Sequence, residues 1–195
     1  MRHLFATALF ATTFAATAVS AAPERYELDP DHTAVMFTVD HVGYAATLGI
    51  FGEVAGTFMY DMETQELSDV QVTIASKSVN TFHDARDNHV KGSDFLNVSE
   101  SPEITFTAEG GDPSGQNSGT VTGDLTILGQ THPITLNVTL NKAEAYPFGH
   151  KRFVLGLSID GSLKRSTYGM TYAVANGLVG DEVDIRIETE AMRIE

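Results

Sequence analysis

Residues 120–141 read TVTGDLTILGQTHPITLNVTLN. On both sides of Gly129, apolar residues alternate with Thr, Asp and Asn, as in Leu125-Thr126-Ile127 and Leu136-Asn137-Val138. In a β-strand, successive side chains point to opposite faces, so a period of two residues gives one apolar and one polar face. The stretch predicts an antiparallel hairpin with a tight turn at Gly129, buried on one face.

The same alternation recurs along the chain and predicts an all-β fold. Eight segments show it: 35–40, 54–60, 70–74, 104–108, 121–127, 134–141, 153–159 and 183–187. An antiparallel array of this length exposes its edges unless it closes on itself or splits into a sandwich, and closure fits eight strands. We therefore expect a closed, eight-stranded antiparallel barrel. The alternation stops near residues 84–97, where one or two short helices are predicted, the second with Ser93 as its N-cap.

The N-terminal residues have the order of a secretory signal peptide. Arg2 precedes an uncharged stretch from Leu4 to Val19, and Ala21 offers a small residue at the cleavage position. The expected organisation is a signal peptide over residues 1–21 and one barrel domain over residues 22–195. The uncharged stretch is short for a membrane span, which needs about 20 residues. We expect export to the periplasm and no integral membrane segment.

Composition restricts the partners and the chemistry. The formal net charge is −14, which disfavours binding to nucleic acid and to anionic lipid headgroups. The sequence has no cysteine, so the fold is not held by disulfides. It also has no Gly-x-Ser-x-Gly elbow, no phosphate-binding loop and no dinucleotide fingerprint. These absences predict a protein that is not an enzyme and carries no nucleotide cofactor.

A metal site is not predicted from the histidine spacing. His83 and His89 lie near Asp84 and Asp87, but no pair of histidines has the spacing of a helical metal-ligand motif. Helix capping, an ion pair with Arg86, or polar lining of the barrel mouth are the expected roles of this cluster.

Several short motifs, in order along almost the whole mature chain, resemble the YceI-like family of bacterial periplasmic proteins. They are Leu28-Asp29 with His32, Phe37 with Val39 and His41, 56–58, 79–81, 86–89, 94–96, 102–106, 123–133, 165–170 and 179–183. The resemblance implies a lipocalin-like barrel with helical cover, whose interior binds a polyisoprenoid or a related amphiphilic lipid.

Alternation alone does not decide whether such a barrel is solid or holds a ligand, since eight-stranded barrels of both kinds exist. With the resemblance, a periplasmic carrier of an isoprenoid, such as a quinone or polyprenyl species, is the leading hypothesis. The alternatives are an enzyme acting on a buried lipid, and a solid stress or interaction module without ligand. A homodimer remains open.

The candidate lipid contacts are the inward-facing apolar residues and three cationic or polar groups that could meet a headgroup. They are Val35, Phe37, Val39, Val72, Phe106, Leu125, Leu136, Val138, Phe153, Leu155, Arg86, His89 and Arg165. Gly123, also on the inward face, marks either a bend of the barrel or a close approach of ligand to backbone.

Overall fold

The computed structural model describes residues 22–194, so the predicted signal peptide lies outside the described residues. The elements are β1 (Glu24–Leu28), β2 (Ala34–His41), β3 (Ala45–Phe51), β4 (Val54–Tyr60), β5 (Leu67–Ala75), β6 (Val79–Asn80), α1 (Asp84–Lys91), β7 (Glu103–Ala108), β8 (Asp112–Pro113), β9 (Ser118–Ile127), β10 (Gln130–Ala145), β11 (Phe153–Lys164) and β12 (Val179–Ile194). Two single turns of 3₁₀ helix lie at Ser76–Ser78 and Arg165–Tyr168.

Three of the barrel strands are each built from two consecutive segments. β1 and β2 follow one another along the same edge of β12, and β3 and β4 continue one another alongside them. β5 and β6 form the next strand in the same way, since they pair with β4 and β3. With β7, β9, β10, β11 and β12, these make the predicted eight antiparallel strands.

The ring is closed because β1 pairs with β4 on one side and with the end of β12 on the other. The short β8 pairs with the beginning of β9, beside the ring. The predicted eight-stranded closed barrel is therefore confirmed, and each of the eight alternating segments lies in a strand. Closure leaves the apolar faces of all eight strands pointing into one interior.

The predicted turn at Gly129 is also present. Leu128 and Gly129 connect β9 to β10 with φ of 52° and 70°, and Ile127 pairs with Gln130 across them. Two successive positive φ values are typical of the type I′ turn, whose twist matches that of an antiparallel hairpin. Leu136 and Val138 on β10 face the interior, as predicted.

Of the one or two helices predicted for residues 84–97, one is present, namely α1. His83 is its N-cap, with Nδ1 accepting a hydrogen bond of 3.3 Å from the Arg86 backbone N–H. Asp84 and Asp87 lie in the first turn and Lys91 in the last, which complements the helix dipole. Ser93 begins a series of turns rather than a second helix. No helix within residues 22–194 combines the length and apolarity needed to cross a bilayer.

Strand β3 was not predicted, because apolar residues such as Leu48 lie on its outer face and its inner face carries small or polar residues before Phe51. Thr47, Gly49 and Phe51 point inward, whereas Leu48 is 46% exposed on the outside. A Cβ atom on Gly49 would lie 2.6 Å from Cε1 of Phe37, so the Phe37 ring occupies the space that a side chain would need. The interior at this point is thus filled from β2.

Candidate functional site

The barrel encloses an apolar cavity of about 340 Å³. This volume is within the range of small-molecule sites, roughly 300–1,000 Å³. Valine, leucine, isoleucine and phenylalanine side chains from all eight strands make up most of the wall. A wall of this kind offers dispersion contacts and excludes water, and it selects a ligand by shape and apolarity rather than by hydrogen bonds.

Most of the predicted contact residues lie on this wall. They are Val35, Phe37, Val39, Val72, Phe106, Leu125, Leu136, Val138 and Arg165. Four others do not line the cavity: Phe153, Leu155, Arg86 and His89. Sequence reasoning missed Phe51, on the unpredicted β3, and Leu96, in the turns after α1, both of which line the wall.

At one end of the barrel, the closed end, buried side chains pack across part of the interior. Tyr26 and Ala191 are fully buried and Leu155 is 1% exposed, and the Tyr26 ring stacks on Phe58 with centroids 5.4 Å apart. Burial raises the pKa of Tyr26 to about 12, so the phenol stays protonated. Leu155, a predicted ligand contact, does not line the main cavity, but it lines a second pocket at this end.

At the same end of the barrel, the guanidinium of Arg193 lies over the Phe153 ring, 5.1 Å from its centroid. Two oxygens of Glu24 accept hydrogen bonds of 2.7 and 2.8 Å from Nη1 of Arg193. Phe153 thus packs against Arg193 at the closed end and does not line the cavity. At this end Phe58 and Val138 line the cavity and also the second pocket, of about 110 Å³, which reaches the connections around β8.

The opposite end, the mouth, carries the β2–β3 turn, the β9–β10 turn and the connection from β11 to β12. β3 pairs with β6 only at Ile50 and Phe51, so the upper part of the wall between β3 and β7 is not closed by sheet hydrogen bonds. Val90 of α1, Phe95 and Leu96 line the cavity there. The cover, which consists of α1 and the turns at residues 92–96, thus completes the wall at the mouth.

Aromatic contacts join this cover to the β11–β12 connection. The rings of His89, Phe95 and Tyr172 contact one another, with centroid distances between 4.9 and 5.4 Å. Nε2 of His89 also lies 2.8 Å from a carboxylate oxygen of Asp94. His89 therefore holds the cover together instead of facing the cavity.

Arg165 is a buried cation on the cavity wall, 2% exposed. Its guanidinium donates hydrogen bonds of 2.7–2.9 Å to the backbone carbonyls of Met170, Tyr172, Val179 and Gly180. Desolvation lowers the pKa of Arg165, and nearby Asp181 opposes this. Because an arginine side chain keeps its proton in proteins, the site retains a positive charge.

These hydrogen bonds use four of the five N–H groups of the guanidinium. Within residues 22–194, the remaining Nη1 hydrogen has no acceptor at hydrogen-bond distance. The Phe95 ring lies below the guanidinium, with Cζ 5.5 Å from its centroid. Arg165 thus fixes the β11–β12 connection and places a positive charge at the edge of an apolar cavity.

Arg86 connects α1 to the barrel wall through Thr81. Its Nε donates to Oγ1 of Thr81 at 2.9 Å and its Nη2 to the Thr81 carbonyl oxygen at 2.6 Å. Asp87 accepts hydrogen bonds from the backbone N–H and the hydroxyl of the same residue. Thr81 itself lines the cavity. Arg86 therefore positions a wall residue without reaching the interior.

Substituting Asp87 by asparagine is expected to loosen α1. The hydrogen bonds from Thr81 lower the pKa of Asp87 from its ordinary value of 3.8, which means that the native state favours the charged form. A group of this kind stabilises the fold above the unfolded-state pKa, and the contribution is lost as pH falls through the lowered value. We expect faster amide exchange across residues 84–91 in Asp87→Asn, with exchange in β10 unchanged. Asp84→Asn is the matched control, and equal exchange in both variants would contradict this role.

Comparisons with known proteins agree with the geometry. A family model described as "YceI-like domain" matches residues 26–191. Protein YceI of Salmonella agona (strain SL483) is 34% identical over 191 residues, covering 97% of this chain and 94% of the relative.

Solved structures share the fold. The YCEI protein of Campylobacter jejuni matches with a TM-score of 0.72 at 28% identity, over 80% of this chain and 90% of that one. A polyisoprenoid binding domain from Saccharophagus degradans matches with a TM-score of 0.64 at 16% identity, over 87% of this chain and 98% of that one. With the family model covering almost all of the described residues, the chain belongs to the YceI-like family.

Proposed function

We propose that this protein is a periplasmic carrier that holds one long apolar isoprenoid, or a related amphiphilic lipid, inside the barrel. The observation that carries the proposal is the apolar cavity, which runs from Phe58 and Val138 at the closed end to Arg165 at the mouth. The structural neighbour from Saccharophagus degradans, described as a polyisoprenoid binding domain, supports the same ligand class.

The cavity wall provides the main source of binding free energy. Each methylene removed from water contributes about 0.8 kcal/mol, so a prenyl chain could bind tightly without any polar anchor. The proposed ligand class includes quinones and polyprenyl species, since both present such a chain. No turnover is required.

The two ends of the cavity suggest one orientation for the lipid. The wall near Phe58 and Val138 at the closed end is apolar and suits the tail, whereas the mouth offers the cation of Arg165 and the polar side chains of Thr47 and Thr81. A carbonyl or other oxygen of the headgroup could accept a hydrogen bond from the remaining N–H group of Arg165. In this orientation the lipid enters with its tail first.

Exposed apolar side chains at the mouth support uptake of a lipid there. Tyr44 is 91% exposed at the β2–β3 turn, with Val42 beside it at 40%. Leu178 is 47% exposed, and its carbonyl accepts a hydrogen bond from the Val42 backbone N–H, so these side chains lie close together. Export to the periplasm rests on residues 1–21, which lie outside the described residues.

The two alternatives to a carrier are less well supported. An enzyme acting on the buried lipid would need the His83 to His89 cluster near the ligand, but His83 caps α1 and His89 packs in the cover. A solid module would need a filled interior, which the cavity does not fit. Native mass spectrometry of the protein from its own periplasm, followed by solvent extraction, tests the proposal directly. Recovery without any apolar ligand, and failure to bind added prenyl lipids, would refute it.

Val138→Trp is expected to shorten the cavity. Val138 faces the interior at the closed end, and an indole there would occupy space that the tail of the lipid needs. We expect affinity to fall more for long prenyl chains than for short ones, with little change in the melting temperature of the lipid-free protein. In a fully packed region, the same substitution would instead cost about 1–3 kcal/mol of stability.

Thr139→Trp is the matched control, because the neighbouring side chain is exposed on the outside of the same strand. The affinities of both variants for prenyl chains of increasing length, measured by fluorescence or mass spectrometry, give the comparison. Equal affinities together with a strongly destabilised Val138→Trp would place the ligand elsewhere.

A further inference from the structure

A group of ionisable side chains lies on the outside of the barrel, at the connection between β1 and β2. Asp29 and His32 are in this connection, and Glu190 is on the adjacent β12. The Asp29 backbone N–H donates to the Glu190 carbonyl at 2.8 Å, and the Glu190 N–H donates to the His32 carbonyl at 3.3 Å. The main chain therefore holds the three residues together independently of their side chains.

We propose that Asp29, His32 and Glu190 form a binding site for one divalent transition-metal ion, with zinc as the best fit. Nδ1 of His32 lies 2.9 Å from Oδ2 of Asp29 and 3.9 Å from Oε2 of Glu190. The three donor atoms all lie within 4.8 Å of one another. Zinc bonds to nitrogen and oxygen are about 2.0–2.2 Å long, so small side-chain adjustments bring all three atoms to one ion.

The charge of the site favours a cation. Two carboxylates face a single imidazole, and the Asp29 side chain is only 12% exposed. Within residues 22–194, the ion pairs formed by Asp29 and Glu190 are with His32 alone, and no lysine or arginine neutralises them. Asp31 follows Asp29 directly after a proline and adds further negative charge. A divalent ion would balance this excess.

The donor types select the class of ion. An imidazole nitrogen suits zinc, copper, nickel and iron, whereas magnesium and calcium prefer sites made of oxygen only. Three protein ligands leave one tetrahedral position for water. The ion would connect the junction between β1 and β2 to β12 and so stabilise the bend in this barrel strand.

The site is separate from the lipid cavity. Thr33 and Thr189, the sequence neighbours of His32 and Glu190, line the cavity, and their hydroxyl oxygens lie 2.6 Å apart. Since side chains alternate along a strand, Glu190 points to the outside. Metal binding can therefore be present or absent whatever the cavity holds.

The test uses the whole mature protein, treated with EDTA and then dialysed, with zinc chloride and cobalt chloride as probes. Calorimetry should give one zinc ion per chain, the melting temperature should rise with zinc concentration, and cobalt should give the visible absorption of a four-coordinate site. Glu190→Gln keeps the shape of the side chain and the pair between Asp29 and His32. We expect zinc affinity to fall by about tenfold or more in this variant, with an unchanged melting temperature in EDTA. His32→Ala should abolish binding.

The matched control is His89→Ala, because His89 and Asp94 are 2.8 Å apart, close to the 2.9 Å between His32 and Asp29, and within residues 22–194 this pair has no third donor. Zinc binding should be unchanged in this variant. The inference is overturned if the parent protein binds no zinc at millimolar concentration, or if Glu190→Gln and His32→Ala bind as tightly as the parent.

Discussion

Gly123→Ala is expected to destabilise the barrel by about 3 kcal/mol, the upper end of the usual cost of overpacking. A Cβ atom at this position would lie 2.6 Å from Cζ of Phe106 and 2.8 Å from Cβ of Ala108, and closer still to the backbone carbonyl oxygen of Thr107. The carbonyl belongs to β7 and cannot turn away as a side chain could. Chemical denaturation of the lipid-free protein, with the midpoint compared at equal slope, measures the effect.

Gly156→Ala is the matched control for that measurement, because its Cβ would meet nothing nearer than 3.9 Å on β10. We expect a change within about 0.5 kcal/mol. The pair also decides between the two explanations of Gly123 offered by the sequence. If the glycine served only to let a ligand approach the backbone, Gly123→Ala would weaken lipid binding and leave the denaturation midpoint unchanged.

Arg165→Met is expected to cost about 3 kcal/mol or more, since removing one partner leaves buried polar groups without hydrogen bonds. Four backbone carbonyls between Met170 and Gly180 lose their donor in this variant. The β11–β12 connection should then open, and limited proteolysis should cut within residues 169–178. Arg165→Lys should recover only part of the loss, because an ammonium group cannot reproduce the planar fork of the guanidinium.

Arg186→Met provides the comparison. Arg186 is an exposed arginine that pairs with Glu188, and exposed pairs contribute roughly 0–1 kcal/mol. Resistance of Arg165→Met to proteolysis, with a stability like that of Arg186→Met, would show that the connection is held by other contacts.

For the predicted strands, the sequence indicated which side chains face inward better than it indicated their position along the barrel axis. Alternation places Leu136, Val138 and Leu155 on the inward face, and all three are inward or buried. It contains no information on position along the barrel axis, which depends on the register between neighbouring strands. Leu155 pairs with Ala143 and Ala191, and this register brings it to the closed end, where it lines the second pocket and not the main cavity.

Polar contacts near the mouth were even less predictable. Arg86 and His89 are close in sequence to cavity residues. Their side chains, however, contact Thr81 and Tyr172, respectively, and do not line the cavity. Arg165 lies on the wall because the β11–β12 connection folds back over its side chain and accepts its hydrogen bonds at Met170 and Tyr172. The Asp29, His32 and Glu190 cluster joins residues from both ends of the chain, so no local spacing could indicate it.

The pairing of β1 with the end of β12, from Leu28 with Ala191 to Arg25 with Ile194, has a consequence for how the protein is made. A chain that emerges with its N-terminus first, from a ribosome or a translocation pore, cannot complete the ring until β12 has followed. The partial array would expose two unpaired edges, which favours aggregation and delays folding until the whole chain is available. The same adjacency means that a short linker between residues 194 and 24 would permit circular permutation, with the new ends in the hairpin connecting β10 to β11.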